Sequence, residues 1–467
     1  MQESPRDRRA VERCLGVGAA RHHARDHGLC SGLTLEDLVG LAVRRNPRRA
    51  HLLVSTVLGK HVCADPALVH GMGLLLGVLA GQALNHHPRQ TPADGDLVAR
   101  ALNGSDGAAN ELVASCRAVR VPMPAGTVVL GFAETATGLG HCVAEQLRAD
   151  TVHSTRRHVP GVAPALAFEE AHSHATSHRI LAPDSILVAG SGPVVLVDDE
   201  LSTGATAENT IRALHRSSPR SHYLIAALVD LRDAADQARC DSLATELGVV
   251  IDVVSLVSGL VHLPEGVLGA GSDLARLIGP LEPRSADAVT AADSTLTRHV
   301  ATWPTDVRDS GRHGMTPQHR DELGQAVTTL AIDCAPALTH ASRVHVLGTE
   351  ELMYLPMLLA EALATATGAT VTFSSTTRSP VVVREEPGYA ITSGIAFTAH
   401  DDPADGPGLR YAYNIPAGVP TVVVVDSPAD GPALVAPDGL LSQLRTLSPH
   451  VTLVVVPSFR PPAGDAP

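Results

Sequence analysis

From Val194 to Val197 four apolar residues run straight into three acids, Asp198, Asp199 and Glu200, in the stretch PVVLVDDELSTGATAENTIRAL. Ser202, Thr203, Gly204, Ala205 and Thr206 follow at once, and then a helical pattern. Carboxylates accept hydrogen bonds, so they suit sugar hydroxyls or a hydrated Mg2+, and they repel phosphate. Small residues let backbone N–H groups approach an anion, hydroxyls add donors, and a helix start favours negative charge. One short loop therefore offers acceptors for hydroxyls beside a cradle for phosphate, and a ribose 5-phosphate satisfies both ends. The stretch has neither the Gly-Lys-Ser/Thr spacing of a Walker A loop nor the glycine spacing of a dinucleotide turn.

Acids can serve a ligand in this way at the carboxyl end of a strand in an open parallel sheet. The surrounding pattern predicts such a sheet. TVVLGFA (127–133), DTVHST, SILVAG, PVVLVDD, HYLIAALVD and GVVIDVVSLV read as strands, and GLGHCVAEQLRA (138–149), ATAENTIRALHR and AADQARCDSLATEL as helices. Alternation of this kind gives an α/β fold with a mostly parallel sheet flanked by helices. Upstream, TLEDLVGLAVR reads as an amphipathic helix capped by Thr34 with Asp37 three residues on, and ALVHGMGLLLGVLAGQAL as a buried helix or helix pair. Residues 283–322 are polar and broken by Pro and Gly, and read as a linker after a first domain of 1–282. A second α/β domain is expected over 323–467. Its VLGTEE, STTRSP, REEPGYA and VVVVDSP echo VLGFAE, HSTRR, FEEAHSHA and VVLVDDE in order, as a degenerate repeat would. There only Asp426 remains of the acid pair, and Pro428 and Pro432 interrupt the phosphate loop.

The formal charge of −13 argues against a nucleic-acid binder held by phosphate neutralisation. No apolar run is expected to reach the length of a membrane span, the charged N-terminus is followed by no apolar h-region of a signal peptide, and the seven cysteines form no C-x-x-C pair. These readings fit a cytoplasmic protein. Among 36 basic residues Lys60 is the one lysine. It is either a residue doing what arginine cannot or a surface lysine that persisted.

VVLVDDELSTGAT resembles the phosphoribosyl-pyrophosphate (PRPP) motif of type I phosphoribosyltransferases. The resemblance implies that Asp198 and Asp199 hold the ribose hydroxyls and that Ser202 to Thr206 hold the 5-phosphate. It also implies that GFAETATGLG presents Ala133, Glu134, Thr135 and Ala136 to pyrophosphate, in a loop type that often holds a non-trans peptide. The segment 153–179 takes the place of a mobile hood loop, in which Arg156 and Arg157 would meet the leaving group. His172, His174 and His178 lack a zinc spacing and read as donors or acid–base groups. Together with NPRRAHLLVSTVLGKHV, FEEAHSHAT and TTRSP, these motifs resemble phosphoribosyltransferase proteins with a C-terminal TRSP domain, often found in gene clusters linked to tellurium resistance and stress. That marks Lys60 and His61 as site candidates. It makes Thr377, Arg378 and Ser379 the centre of a second site, which binds another anion or packs against the first domain.

The implied activity is transfer of ribose 5-phosphate from PRPP to a nucleobase-like nitrogen nucleophile, with Mg2+ carried by PRPP, Asp198, Asp199, Arg156 and Lys60 as catalytic candidates, and a homodimer as the expected assembly. The alternative is a PRPP- or nucleotide-sensing regulator on the same fold without turnover.

Overall fold

The computed structural model describes residues 18–20, 33–46, 49–87, 95–169, 177–181, 190–285, 287–288, 293–401, 405–406 and 408–461. Two five-stranded parallel sheets organise them. The first contains β1 (Val128–Gly131), β2 (Asp150–His153), β3 (Val194–Leu201), β4 (His222–Asp230) and β5 (Val250–Ser258), in the order β5-β4-β3-β1-β2. The second contains β6 (Thr295–Val300), β7 (Arg343–Gly348), β8 (Thr370–Ser375), β9 (Thr421–Asp426) and β10 (His450–Val456), in the order β6-β10-β9-β7-β8. Val, Ile and Leu runs with both faces buried are what a helix-covered parallel sheet demands.

The two orders superimpose strand for strand when β7 is set on β1, β8 on β2, β9 on β3 and β10 on β4. The outer strand is supplied from opposite chain directions, β5 after β4 but β6 before β7. The repeat extends past the sheets. Thr155 bridges Arg179 on a hairpin of Leu166–Glu169 with Ser177–Ile180, and Thr377 bridges Tyr411 on a hairpin of Gly394–Thr398 with Leu409–Tyr413. Ser154 Oγ accepts from Ala133 N (2.9 Å), and Thr376 Oγ1 accepts from Glu350 N (3.0 Å). The likeness of VLGFAE to VLGTEE thus reflects a duplicated architecture.

The stretch read as a linker supplies β6 and, from Pro317, helix α5 (Pro317–Cys334). Its polar composition has a physical reason: β6 is an edge strand, and most of its side chains lie in solvent. The expected helix at TLEDLVGLAVR is also corrected. The Thr34–Asp37 capping box forms, with Thr34 N and Oγ1 each 2.8 Å from Asp37 Oδ2, but the helix ends at Leu38. Val39–Val43 continues as a strand paired with His51–Ser55. The segment SILVAG lies outside the described residues apart from its last glycine.

Four further helices are α2 (Thr137–Leu147), α3 (Ala205–Ser217), α4 (Ala234–Leu247) and α6 (Tyr354–Thr367). The joint between the halves is α1 (Pro66–Leu84), a single helix with Asp65 as N-cap accepting from Ala67 N (2.9 Å). Contrary to the expectation that no apolar run is that long, this helix, alone among the described residues, is long and apolar enough to cross a membrane, and it lies inside the protein. It has no polar face because it packs α2 on one side and α6 on another. Its glycines set the approach distance. A Cβ on Gly73 would stand 2.5 Å from Cys142 Cβ, and one on Gly77 2.6 Å from Gln146 Cβ. Helix propensity favours Gly→Ala by about 1 kcal/mol, whereas overpacking costs about 1–3 kcal/mol. Gly73→Ala is therefore expected to destabilise the protein, read as a lower urea midpoint at unchanged slope; a raised midpoint would refute the close packing.

Candidate functional site

The strand order places the site. From β1 the chain moves outward to β2, and from β3 it moves the other way to β4, so a crevice opens above the adjoining carboxyl ends of β1 and β3. The loop Phe132–Ala136 leaves β1 and the loop Ser202–Gly204 leaves β3, hence both expected ligand loops border one crevice. Phe132 N donates to Val197 O (3.1 Å), which locks the first loop to the strand that carries the acids.

β3 does not stop at the acids. It runs on to Leu201, so Asp198, Asp199 and Glu200 are in ladder geometry beside β4. Burial pushes both aspartates up, helped by the Asp199 charge at Asp198 and by the Glu200 charge at Asp199: Asp198 lies well above the usual carboxylate range and Asp199 rises to about 6. Asp199 N donates to Asp198 Oδ1 (2.9 Å). Glu200 is held aside by an ion pair with Arg49, whose Nε also donates to His51 Nε2 (3.2 Å). Among the described residues no lysine, arginine or histidine forms an ion pair with Asp198 or Asp199, an arrangement that favours hydroxyl donors or a cation.

Gly204 ends the loop at φ +77°, left-handed backbone that only glycine adopts without penalty, and caps α3. The first-turn N–H groups of α3, with Ser202, Thr203 and Thr206, face the loop side where an anion is stabilised. Arg239 Nη2 donates to Thr203 O (2.5 Å), and Arg232, fixed by Asp230 at 2.8 and 2.9 Å, packs under Gly204. Sequence reasoning missed Arg49, Arg232 and Arg239. Arg232 lies two residues past the end of β4, which was the available signal; Arg239 lies mid-helix and gave none.

At the first loop the Ala133–Glu134 peptide is cis, as the loop type led one to expect. The Glu134 side chain turns into the interior and pairs with Lys60 (3.2 Å) and with Arg378 of the second half (3.1 Å). Lys60 is no surface residue. Only 2% exposed, it also donates to Glu350 O (3.0 Å). His61 is buried beside it, and burial first, then the Lys60 charge, lowers its pKa to about 3, so it is neutral. Arg156 is half-buried and is anchored through its main chain, N to Glu351 Oε1 at 2.7 Å. His178 Nδ1 lies 2.8 Å from Ser154 Oγ, and His172 and His174 lie outside the described residues.

One expectation is revised and another is narrowed. Arg157 does not face the pyrophosphate loop: it crosses to the second half and pairs with Asp426 (2.7 Å) and Asp401 (3.3 Å). Of the two roles expected for the Thr377–Ser379 centre, Arg378 takes the second and packs against the first half through Glu134. Its Nε donates to Glu350 Oε2 (2.8 Å) and stands 3.1 Å from Glu134 Oε1 as an ion pair, and its Nη1 donates to Asp405 O (2.7 Å). Beside it Thr377 pairs with Tyr411 through both main-chain groups, and its hydroxyl accepts from Ser379 N (3.1 Å).

Leu130 is level with Leu196, and its counterpart Leu347 with Val423, so Asp426 occupies in the second sheet the level of Asp199 in the first. Burial alone would raise Asp426, yet Arg157 and Arg312 hold it below the usual range. Ser427–Ala429 makes a 3-10 turn where the first half has its phosphate loop. The second crevice is therefore closed by an arginine of the first half.

Residues 38–260 match the phosphoribosyl transferase family, and residues 309–444 match the TRSP domain that stands C-terminal to it. The chain is a phosphoribosyltransferase-family protein with a C-terminal TRSP domain. No curated protein matches it in sequence. Among solved structures it is similar to adenine phosphoribosyltransferase from Rhodothermus marinus (22% identity, 28% of this chain and 69% of that one, TM-score 0.21). The enzyme from Leishmania donovani gives 18% identity over 43% of this chain and 84% of that one, TM-score 0.24. The Giardia lamblia enzyme, solved with 9-deazaadenine, gives 20% over 34% and 84%, TM-score 0.23.

Proposed function

We propose that the first half transfers ribose 5-phosphate from PRPP to a nitrogen nucleophile of nucleobase type and releases pyrophosphate. The observation that carries this reading is the crevice between β1 and β3, where an uncompensated acid pair, a glycine-capped hydroxyl loop and the Ala133–Ala136 loop meet. Asp198 and Asp199 accept from the ribose hydroxyls, and Ser202–Thr206 anchors the 5-phosphate, so remote binding energy orients the anomeric carbon. No cluster of three or more His, Cys, Asp or Glu suited to a metal exists among the described residues. The donor set fits a Mg2+ that arrives on PRPP, where its charge would offset that of the leaving group. The bond from the anomeric carbon to pyrophosphate breaks through an oxocarbenium-like state, as in glycoside cleavage, and a carbon–nitrogen bond forms.

The test is pyrophosphate release from PRPP and Mg2+ across a panel of nucleobases and amines. Release with one acceptor supports transfer. PRPP binding with no release from any acceptor would favour the sensing alternative, and absence of PRPP binding would refute the site.

A further inference from the structure

We infer that Arg378 of the second half is a positioning residue for the pyrophosphate loop of the first, so that the TRSP half completes the transferase site. The inference rests on the reading of Ala133–Ala136 as that loop.

The loop is held from across the joint. Glu134 Oε1 lies 3.1 Å from Arg378 Nε, and Thr137 Oγ1 donates to Glu351 O (2.8 Å). Gly138 packs against Met353, which a Cβ would meet at 3.2 Å. The following loop is gripped by the same segment, with Thr155 Oγ1 donating to Glu351 Oε2 (2.6 Å) and Arg156 N to Oε1 (2.7 Å). Arg378 is itself fixed on Glu350 and Asp405 O, so its guanidinium is a rigid post and not a mobile surface group.

The electrostatics give this post a purpose. Glu134 is a carboxylate within a loop whose main-chain N–H groups would receive a highly charged anion, and a like charge there opposes binding. Lys60 and Arg378 draw the carboxylate inward and neutralise it from both sides. Without Arg378, one oxygen of Glu134 loses its cation, and the carboxylate is free to turn towards the ligand side.

The experiment titrates full-length protein by calorimetry with Mg-pyrophosphate and, separately, with ribose 5-phosphate. Arg378→Gln is expected to bind pyrophosphate about tenfold or more weakly, the scale of one lost charge-assisted contact, and ribose 5-phosphate as the wild type does. Arg378→Lys, which keeps charge and stem, should recover part of that loss. Arg378→Gln/Glu134→Gln should bind pyrophosphate no more weakly than Arg378→Gln alone, because the arginine acts through the glutamate. Unchanged pyrophosphate affinity in Arg378→Gln overturns the inference, as do additive losses in the double variant or equal losses for both ligands. If the wild type binds neither ligand, the phosphoribosyl reading falls and takes this inference with it; if it binds both and Arg378→Gln matches it, this inference falls alone.

Discussion

Asp198→Asn/Asp199→Asn is expected to lose PRPP binding by at least a hundredfold while melting a few degrees higher than the wild type at pH 8. The two effects share one cause. The acid pair lies near the end of β3 without an ion-pair partner among the described residues, and burial first, then a neighbouring acid (Asp199 at Asp198, Glu200 at Asp199), raises both above the usual carboxylate range, Asp199 to about 6. A carboxyl with a raised folded-state pKa binds protons more tightly in the native than in the unfolded chain, so stability is lost as pH rises through that value. Asparagine removes this cost but cannot supply paired anionic acceptors to two ribose hydroxyls and a hydrated cation. Both side chains keep some contact with solvent, which limits the stability gain to a few degrees. The advantage should shrink towards pH 4, where the wild-type pair is protonated. Calorimetry with Mg-PRPP and thermal melts from pH 4 to 8 read both arms. Unchanged PRPP affinity would remove these acids from the site, and a lower melting temperature at pH 8 would show that they are compensated after all.

Much of this site could be read from the chain because its signals are local. β4 and α4 fall where HYLIAALVD and AADQARCDSLATEL place them, since a buried strand and a capped helix each carry their own boundary residues. The phosphate loop is legible for the same reason: strand, acids, Gly204 and helix start are consecutive. What failed depends on distant partners. Arg157 looked like a ligand arginine because its neighbours are those of a hood loop, but its partner Asp426 is 269 residues away. Thr34 and Asp37 promised a long helix, and the cap formed, but pairing of Val39–Val43 with His51–Ser55 overrode the helical period after one turn. β6 was hidden by its exposure, because an edge strand need not be apolar.

The duplication also explains why the second half kept a strand pattern without keeping a receptor. Its Glu351 stands one residue on from the cross-joint Glu350, and burial alone would raise it. Arg312, Arg157 and His153 instead hold it down to about 2. Groups that in an open crevice would meet a ligand are here spent on the other half. One half presents a charged crevice to solvent; the other uses the equivalent ends of its strands as a joint.

That joint has a second lock, and it predicts a pH-dependent loss of stability. His70, in the second turn of α1, is fully buried between Glu145 of α2 (2.8 Å) and Glu361 of α6 (3.0 Å), one from each half. Arg117 and the Tyr354 hydroxyl complete the surroundings, both on Glu145 at 2.8 Å. Burial alone would lower the pKa of His70, but the two carboxylates outweigh it and raise it to about 9, so the imidazolium persists at neutral pH. For a cation raised from 6.5 to about 9, the stabilisation is complete below the unfolded value and is lost as pH climbs through the folded one. At 1.36 kcal/mol per unit the amount is about 3 kcal/mol. His70→Gln should therefore be less stable than the wild type by roughly that amount at pH 6, since it leaves two inward carboxylates without their cation. The difference should close between pH 7 and 10, because the wild type descends to meet the variant. Urea unfolding at unit pH steps measures it. A difference that stays constant to pH 10 would mean that His70 contributes only packing and that the halves are not joined by its charge.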